Sequence, residues 1–337
     1  MTDESDNTIL IEDNVRVRRW TVDQNFDGWR LDKFLENRIG TISRTYAGKI
    51  AKHGDVEVIP DRKIKAGTFL REDDVVIVRE HLEPERVQDP QVDLIYSDDV
   101  MIVVNKPAGM LIHEVGPTRL NTIAKFLKRQ GFEEAHPAHR LDRETSGVVV
   151  CAATDDYRRP LHDMFKHRRV EKVYRALALD PEGRWTVGAR ETLDAPLGDD
   201  ETSEIRHKKG RGEQSAITHV ECIGRTESDG RSLADLEIEI ETGRQHQIRA
   251  HLALEETPIA GDKLYAKSES FFRAISDYPE DEDLLDRLTF HRQALHAWRL
   301  RIPHPETEEL QTFDAPLPGI WESVEHLLDD PVGHDGG

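Results

Sequence analysis

The sequence predicts an α+β chain built in two parts. Three observations carry this. Strand-like apolar runs outnumber helical ones. They do not alternate with helices as a doubly wound fold requires, so the expected sheet is mixed or largely antiparallel. Between the parts lies the stretch HLEPERVQDPQV at 81–92, with two prolines, many charges and no periodicity, which reads as a linker.

Residues 1–20 are expected to form a disordered acidic tail. Residues 21–80 form a small unit. In it Leu31, Phe34, Leu35 and Ile39 keep helical spacing, and Arg30 and Lys33 flank that apolar face. Ser43 suits the N-cap of a second helix with Tyr46, Ala47, Ile50 and Ala51 inside and Arg44, Lys49 and Lys52 as its cations. Strands follow around Val56 and Val58 and at Val75 to Val78, with a basic loop between them. Residues 93–320 form the larger domain. Two strands flank the turn Ser97-Asp98-Asp99, and a helix covers Leu120 to Gln130. Further strands are expected at Val148 to Ala153, Val173 to Leu179, Ile217 to Cys222, Leu233 to Ile240 and Leu295 to Ile302. Helices are expected at His162 to Lys166 and Gln245 to Leu254. A short helix begins at Gly319, and residues 321–337 are read as a second acidic tail.

Composition excludes several classes. Asp and Glu number 66 against 46 Lys and Arg, a net charge of -20, which argues against coating nucleic acid through bulk charge. It leaves room for a local basic groove: residues 136–176 hold nine Lys or Arg against six acids, and Arg206-His207-Lys208-Lys209-Gly210-Arg211 is a second basic run. Cys151 and Cys222 are too few for a disulfide framework. No apolar run approaches the ~18 residues of a membrane span, and the first residues have no signal-peptide pattern, so a soluble cytoplasmic protein is expected. No phosphate-binding glycine loop, HExxH or EF-hand pattern occurs. The pairs His136/His139 and His246/His251 do not supply a closed metal site. Neither metal nor small-molecule cofactor is expected.

The most informative stretch is His139-Arg140-Leu141-Asp142-Arg143-Glu144-Thr145-Ser146-Gly147-Val148, a polar loop that runs through Thr-Ser-Gly into a buried strand. By itself it could be a surface salt-bridge loop. It resembles the HRLDxxTSG signature of the RluA family of RNA pseudouridine synthases, and other blocks match in order: Asn105 to His113 (NKPxGxxxH), Val170 to Ala176 (VxKxYxA), Thr242 to Leu252 (TGRxHQIRxHL), Gly261 to Tyr265 (GDxxY), and Leu295-His296-Ala297 with His304-Pro305. Residues 26–78, with Arg30 to Leu35 and Ser43-Arg44, resemble the S-four-type RNA-binding module. Departures are local. Val58-Ile59-Pro60-Asp61 replaces a Val-Asn-Gly turn, Ala266 replaces a glycine, and Gln245 stands where Thr or Ser is usual.

The resemblance implies a pseudouridine synthase domain with a mixed, largely antiparallel sheet, and conversion of uridine to pseudouridine in structured RNA. That reaction breaks an N-glycosidic bond, turns the base and forms a C–C bond, without redox chemistry, ATP or metal. Hydrolytic glycosidases need two carboxylates because water must be activated. Here water must stay out, and one carboxylate acting at the sugar suffices. The resemblance assigns this role to Asp142, its ion pair to Arg249, and the base platform and a proton-moving hydroxyl to Tyr174. Leu141 and Ile248 would complete apolar walls. Arg140 would fill the gap left by a flipped base, since its planar guanidinium stacks and hydrogen-bonds together. Lys106, His113, Arg30, Arg44 and Lys49 are the remaining RNA-binding candidates. The expected partner is RNA, ribosomal RNA of the large subunit ahead of transfer RNA, and the expected state is a monomer. A non-catalytic RNA-binding or ribosome assembly factor and a small-molecule glycosidase remain as alternatives.

Overall fold

The protein is described from a computed structural model, which covers residues 8–12, 15–40, 42–53, 55–81, 92–115, 118–205, 207–228 and 231–322. It divides into two compact units, each assembled from separated stretches of chain. The first comprises, among the described residues, 8–81, 202–205 and 269–284; the second comprises 92–201, 207–268 and 285–322. Most of the linker, 82–91, lies outside the described residues, as does the C-terminal tail from 323.

The first unit is a four-stranded antiparallel sheet in the order β1 (Thr8–Glu12), β2 (Val15–Thr21), β4 (Val75–His81), β3 (Asp55–Ile59), with α1 (Leu31–Ile39) and α2 (Arg44–His53) between β2 and β3 in sequence. The expectation of a disordered tail over residues 1–20 is therefore corrected for 8–12 and 15–20. These form a hairpin whose second strand pairs along its whole length with β4, so its backbone groups are satisfied by a ladder that the local sequence does not announce. Residues 1–7 lie outside the described residues. Leu31, Phe34 and Leu35 are fully buried with Trp20, Val22, Ala47 and Val76, as the helical spacing requires. Gly40 ends α1 in the left-handed conformation at φ 76°.

Residues 202–205 and 269–284 belong to this first unit. Arg273, on the helix Glu269–Asp277, is buried and donates to the Ile42 carbonyl at 3.0 Å and to Glu204 at 2.9 Å. Asp277 accepts from the Ser43 backbone N–H at 3.1 Å, at the start of α2.

The second unit is built on a ten-stranded sheet. The elements that follow β4 along the chain are β5 (Asp93–Ser97), β6 (Met101–Lys106), α3 (Ile123–Arg129), β7 (His136–Pro137), β8 (Ser146–Ala152), α4 (Asp155–Lys166), β9 (Glu171–Leu179), β10 (Arg190–Leu193), the small hairpin β11 (Leu197–Asp199) and β12 (Lys209–Arg211), β13 (Thr218–Ser228), β14 (Arg231–Ile240), α5 (Gln247–Leu254), α6 (Glu269–Asp277), α7 (Glu282–Leu285), β15 (Leu295–Pro303) and β16 (Leu310–Asp314); α6 and all but the last residue of α7 belong to the first unit. The strand order is β10-β13-β14-β9-β15-β8-β6-β5, with β16 on β15 and β7 on β8. Only the β15–β8 pairing is parallel, so the sheet is mixed and largely antiparallel as expected.

Burial alternates along the central strands. Ile102, Val104, Val149 and Cys151 enter one core; Met101, Val103, Val148, Val150 and Ala152 enter the other. A strand covered on both faces has no polar side to show, which is why β8 reads as a continuous apolar run. Each fully buried Val or Ile contributes about 1.5–3 kcal/mol, so this centre is a stiff platform for the loops at its edge. Trp321 is buried in the first of these cores, so the packed domain reaches past residue 320 into the segment expected to be tail.

Candidate active site

Three sequence-distant elements meet at one end of the sheet. The loop 138–145 enters β8 and carries Asp142. β9 presents Tyr174, paired in register with Ile238 and Ala297. α5 carries Arg249 in its first turn. The entry to β8 turns at Gly147, whose φ is +116° and where a Cβ would lie 2.1 Å from the Ala297 carbonyl oxygen. Only glycine lets β8 approach β15 there. The start of α5 is fixed by buried Gln247, which donates to the Ile217 carbonyl at 2.9 Å and accepts from the Arg244 backbone N–H at 3.0 Å.

Arg249 joins two carboxylates. Its Nη1 donates to Asp142 Oδ2 at 2.8 Å, and its Nε and Nη2 donate to Asp262 at 2.6 and 3.0 Å. Burial opposes the charge on Arg249, but Asp262 first and Asp142 second outweigh it, and its pKa is raised. Asp262 is fully buried. Burial pushes its pKa up; Arg249 and the N–H groups of Leu264 and Tyr265 more than offset this and hold it below the usual carboxylate range. Asp142 keeps part of its surface open, at 22% side-chain exposure, so the pair has one anchored and one accessible carboxylate.

A cavity of about 200 Å³ opens in front of Asp142, lined among others by Tyr174, Ile248, Leu141, Arg140, Leu295 and Arg249. It is smaller than the ~300–1,000 Å³ typical of drug-sized ligand sites and suits a single flat heterocycle. Tyr174 is nearly buried and has no hydrogen-bond partner among the described residues; burial, and then the charge of Asp142, push its hydroxyl pKa up. His246 Nε2 lies 3.9 Å from Asp142 Oδ2, while its Nδ1 meets the Tyr265 hydroxyl at 3.1 Å. Burial, and next Arg249, lower its pKa to about 4, so this imidazole is neutral at pH 7.

The structure thus brings Asp142, Arg249, Tyr174, Ile248, Leu141 and Arg140 to one cavity. It does not bring Lys106 there. Lys106 is fully buried, and its Nζ donates to the carbonyls of Pro107, Met110 and Arg143 at 2.9, 2.8 and 3.0 Å. Burial drives its pKa down to about 7, partly opposed by Asp142. The expectation that Lys106 binds RNA is corrected: with no surface to offer, it ties the 107–110 turn to the Asp142 loop. His113 lines a neighbouring groove.

In the first unit, Arg30 and Arg44 converge on Asp32, at 2.8 and 3.5 Å, and both stay about half exposed. Lys49 donates to the Tyr278 hydroxyl. In the second basic run, Lys208 and Lys209 pair with Asp200 and Asp199, and Arg206 lies outside the described residues. No group of three or more His, Cys, Asp or Glu converges as a metal site among the described residues, and no helix there is long and apolar enough to cross a membrane. Asp262, Gln247 and His246 are site residues that residue-type reasoning passes over, although the GDxxY and TGRxHQIRxHL blocks contain them.

A sequence profile described as RNA pseudouridylate synthase matches residues 100–254. The chain is 31% identical over 329 residues to "Ribosomal large subunit pseudouridine synthase D" of Vibrio vulnificus, covering 93% of this chain and 95% of that protein. The chain belongs to the RluA family of RNA pseudouridine synthases. The namesake protein of Zymomonas mobilis is 32% identical, with 91% of this chain and 96% of that one covered. Among solved structures, human RNA pseudouridylate synthase domain containing 1 superposes with a TM-score of 0.52 at 26% identity, over 70% of this chain and 86% of that one. As an RNA pseudouridine synthase the protein is an isomerase. The matched region holds Asp142, Tyr174 and Arg249, whereas Asp262 and β15 lie beyond it.

Proposed function

We propose that this pseudouridine synthase acts on uridines of large-subunit ribosomal RNA and that Asp142 is its catalytic carboxylate. The observation that carries the proposal is the position of the Asp142 carboxylate: it lines a base-sized cavity together with Tyr174 and accepts a hydrogen bond from Arg249 at 2.8 Å. The relatives' names, which specify the large ribosomal subunit, support the choice of RNA.

The flipped uracil lies against Tyr174 with Ile248 and Leu141 as apolar walls, and Arg140 occupies the stack it left. Asp142 acts at the sugar. The N1–C1′ bond breaks, the retained base turns, and C5 bonds to C1′; N1 gains a proton and C5 loses one, so nothing is oxidised and no water is consumed. Tyr174 is the group at hand to move a proton during that exchange. Arg30, Arg44 and Lys49 hold RNA phosphates on the first unit, which serves as the RNA-binding module; phosphate contacts position the RNA while the flipped base specifies it. The enzyme works as a cytoplasmic monomer.

Mapping pseudouridine at single-nucleotide resolution in ribosomal and transfer RNA tests this, comparing cells with the protein, without it, and with Asp142→Ala. Large-subunit positions lost on deletion and not restored by Asp142→Ala are the expected result. Restoration by that variant overturns the role of Asp142; loss confined to transfer RNA overturns the choice of RNA.

A further inference from the structure

A second concavity, of about 880 Å³, adjoins the active-site cavity and shares Arg140 with it. Three stretches build its walls: the turn that carries His113, the β7 segment with His136, and one face of α4. On α4 Arg158 and Arg159 each neighbour His162, four and three residues on, and all three line the groove. The other face of that helix, with Leu161 and Met164, is buried against the sheet. His139 sits at the back of the groove as a strut. Its ring stacks on Phe165 at 4.4 Å, and its Nε2 accepts from the Val150 N–H at 3.0 Å. This fixes the backbone from which Arg140 projects.

The charge of this groove runs against that of the protein. The chain carries -20, and many of its arginines are matched to a carboxylate. Among the described residues no carboxylate pairs with Arg140 or Arg158. Arg159 reaches Asp163 only at 3.8 Å and is 91% exposed. Among the described residues the one acid lining the groove, Asp155, is 3.1 Å from His136. The imidazole of His113 senses the excess: burial first, and then Arg158, His136 and Arg140, lower its pKa.

We propose that this groove holds the ribose-phosphate backbone of the RNA strand running out of the active-site cavity, with Arg158 and Arg159 as phosphate contacts and Arg140 at the junction. The proposal rests on the reading of the cavity as the uridine site. The groove widens where the cavity is narrow, so it takes a strand and not a base. The exposed guanidiniums of Arg140 and Arg158 offer bidentate donors to phosphate without first giving up a carboxylate among the described residues, and Arg159 gives up only its long contact with Asp163.

The test uses binding, which needs no isomerisation. The affinity of the full-length protein for a long oligouridylate and for the dinucleotide UpU is measured against salt concentration, for the wild type, Arg158→Gln with Arg159→Gln, and Arg190→Gln. Arg190 lies on β10 at the far edge of the sheet and pairs with Glu221. The double variant should lower the salt slope for the long strand by about one per arginine. It should weaken the long strand more than UpU, while Arg190→Gln leaves the slope in place. Thermal melts of the variants confirm folding, which these exposed side chains do not support. An unchanged slope in the double variant, or equal losses for both ligands, overturns the groove. Wild-type protein that shows the slope difference but forms no pseudouridine overturns the proposed function and leaves the groove standing.

Discussion

Arg249 donates to Asp142 from the same guanidinium that clamps Asp262, and only the first of these carboxylates reaches the cavity. The fully buried Asp262 thereby orients the charge that Asp142 faces. Substituting Arg249 should have two separable consequences. Arg249→Met strands a buried carboxylate and should cost about 3–5 kcal/mol in urea unfolding. Arg249→Lys keeps a charge but lacks the fork that spans both partners; it should unfold at higher urea than Arg249→Met while pseudouridine formation stays low. Equal stability of wild type and Arg249→Met would show that Asp262 is not held as described.

Tyr174 separates platform from proton transfer. Tyr174→Phe keeps the ring and loses a hydroxyl that has no partner among the described residues, so its stability should match the wild type. Its single-turnover rate should fall by about 100-fold or more if the hydroxyl moves a proton. Tyr174→Ala should lose RNA-dependent activity and also stability, by about 3–5 kcal/mol for an aromatic removed from a core. A Phe variant with full activity would leave Tyr174 as a platform alone.

Acid should weaken the fold before carboxylates titrate. Burial lowers His139 to about 3 and both His246 and His296 to about 4. In the unfolded chain the same imidazoles protonate near pH 6.5. Between those values the unfolded state binds more protons, so stability falls as pH drops from about 6.5 toward 4 and is flat for these groups above that window. Urea midpoints at pH 7 and pH 5 measure this. His139→Gln, which retains an acceptor for the Val150 N–H, should show a shallower loss than the wild type.

Gly147→Ala should be severe for so small a change. The new Cβ would meet backbone, not a flexible side chain, and the residue's φ of +116° is unfavourable for alanine in any surroundings. Destabilisation beyond about 1 kcal/mol is expected in urea titrations, with a drop in activity because the Asp142 loop feeds into this turn. A variant of wild-type stability would mean that β8 and β15 are not in the close approach described.

Much of the second unit was legible because its core strands are apolar on both faces and need no partner to be recognised. Val148 to Ala152 is such a case. The grouping of Asp142, Arg249 and Tyr174 was legible through the resemblance of the motif blocks that hold them, not through periodicity. What escaped was decided by long-range pairing. The strand at 15–21 carries three arginines beside its Val residues and is held by its ladder to β4, while the strand at 8–12 pairs with that strand in turn. Lys106 looks like a surface cation in a turn, but three carbonyls converge on it from loops that meet only after folding. The association of 269–284 with the first unit rests on Arg273 and Asp277, whose partners Ile42 and Ser43 are 231 and 234 residues away in sequence.

The chain's threading also dictates when the enzyme can come into being. The first unit takes in residues 202–205 and 269–284, and the cavity needs Leu295 on β15, which slots between β9 and β8. The core and sheet of the first unit come from residues 8–81 alone and can close early in synthesis, whereas the larger sheet cannot be completed until β15 has been made. The nascent protein must therefore carry unpaired strand edges of β8 and β9 from the synthesis of those strands until Leu295 to Pro303 follows. It would acquire a complete active-site cavity only after β15 emerges, as a late event that joins both ends of the domain.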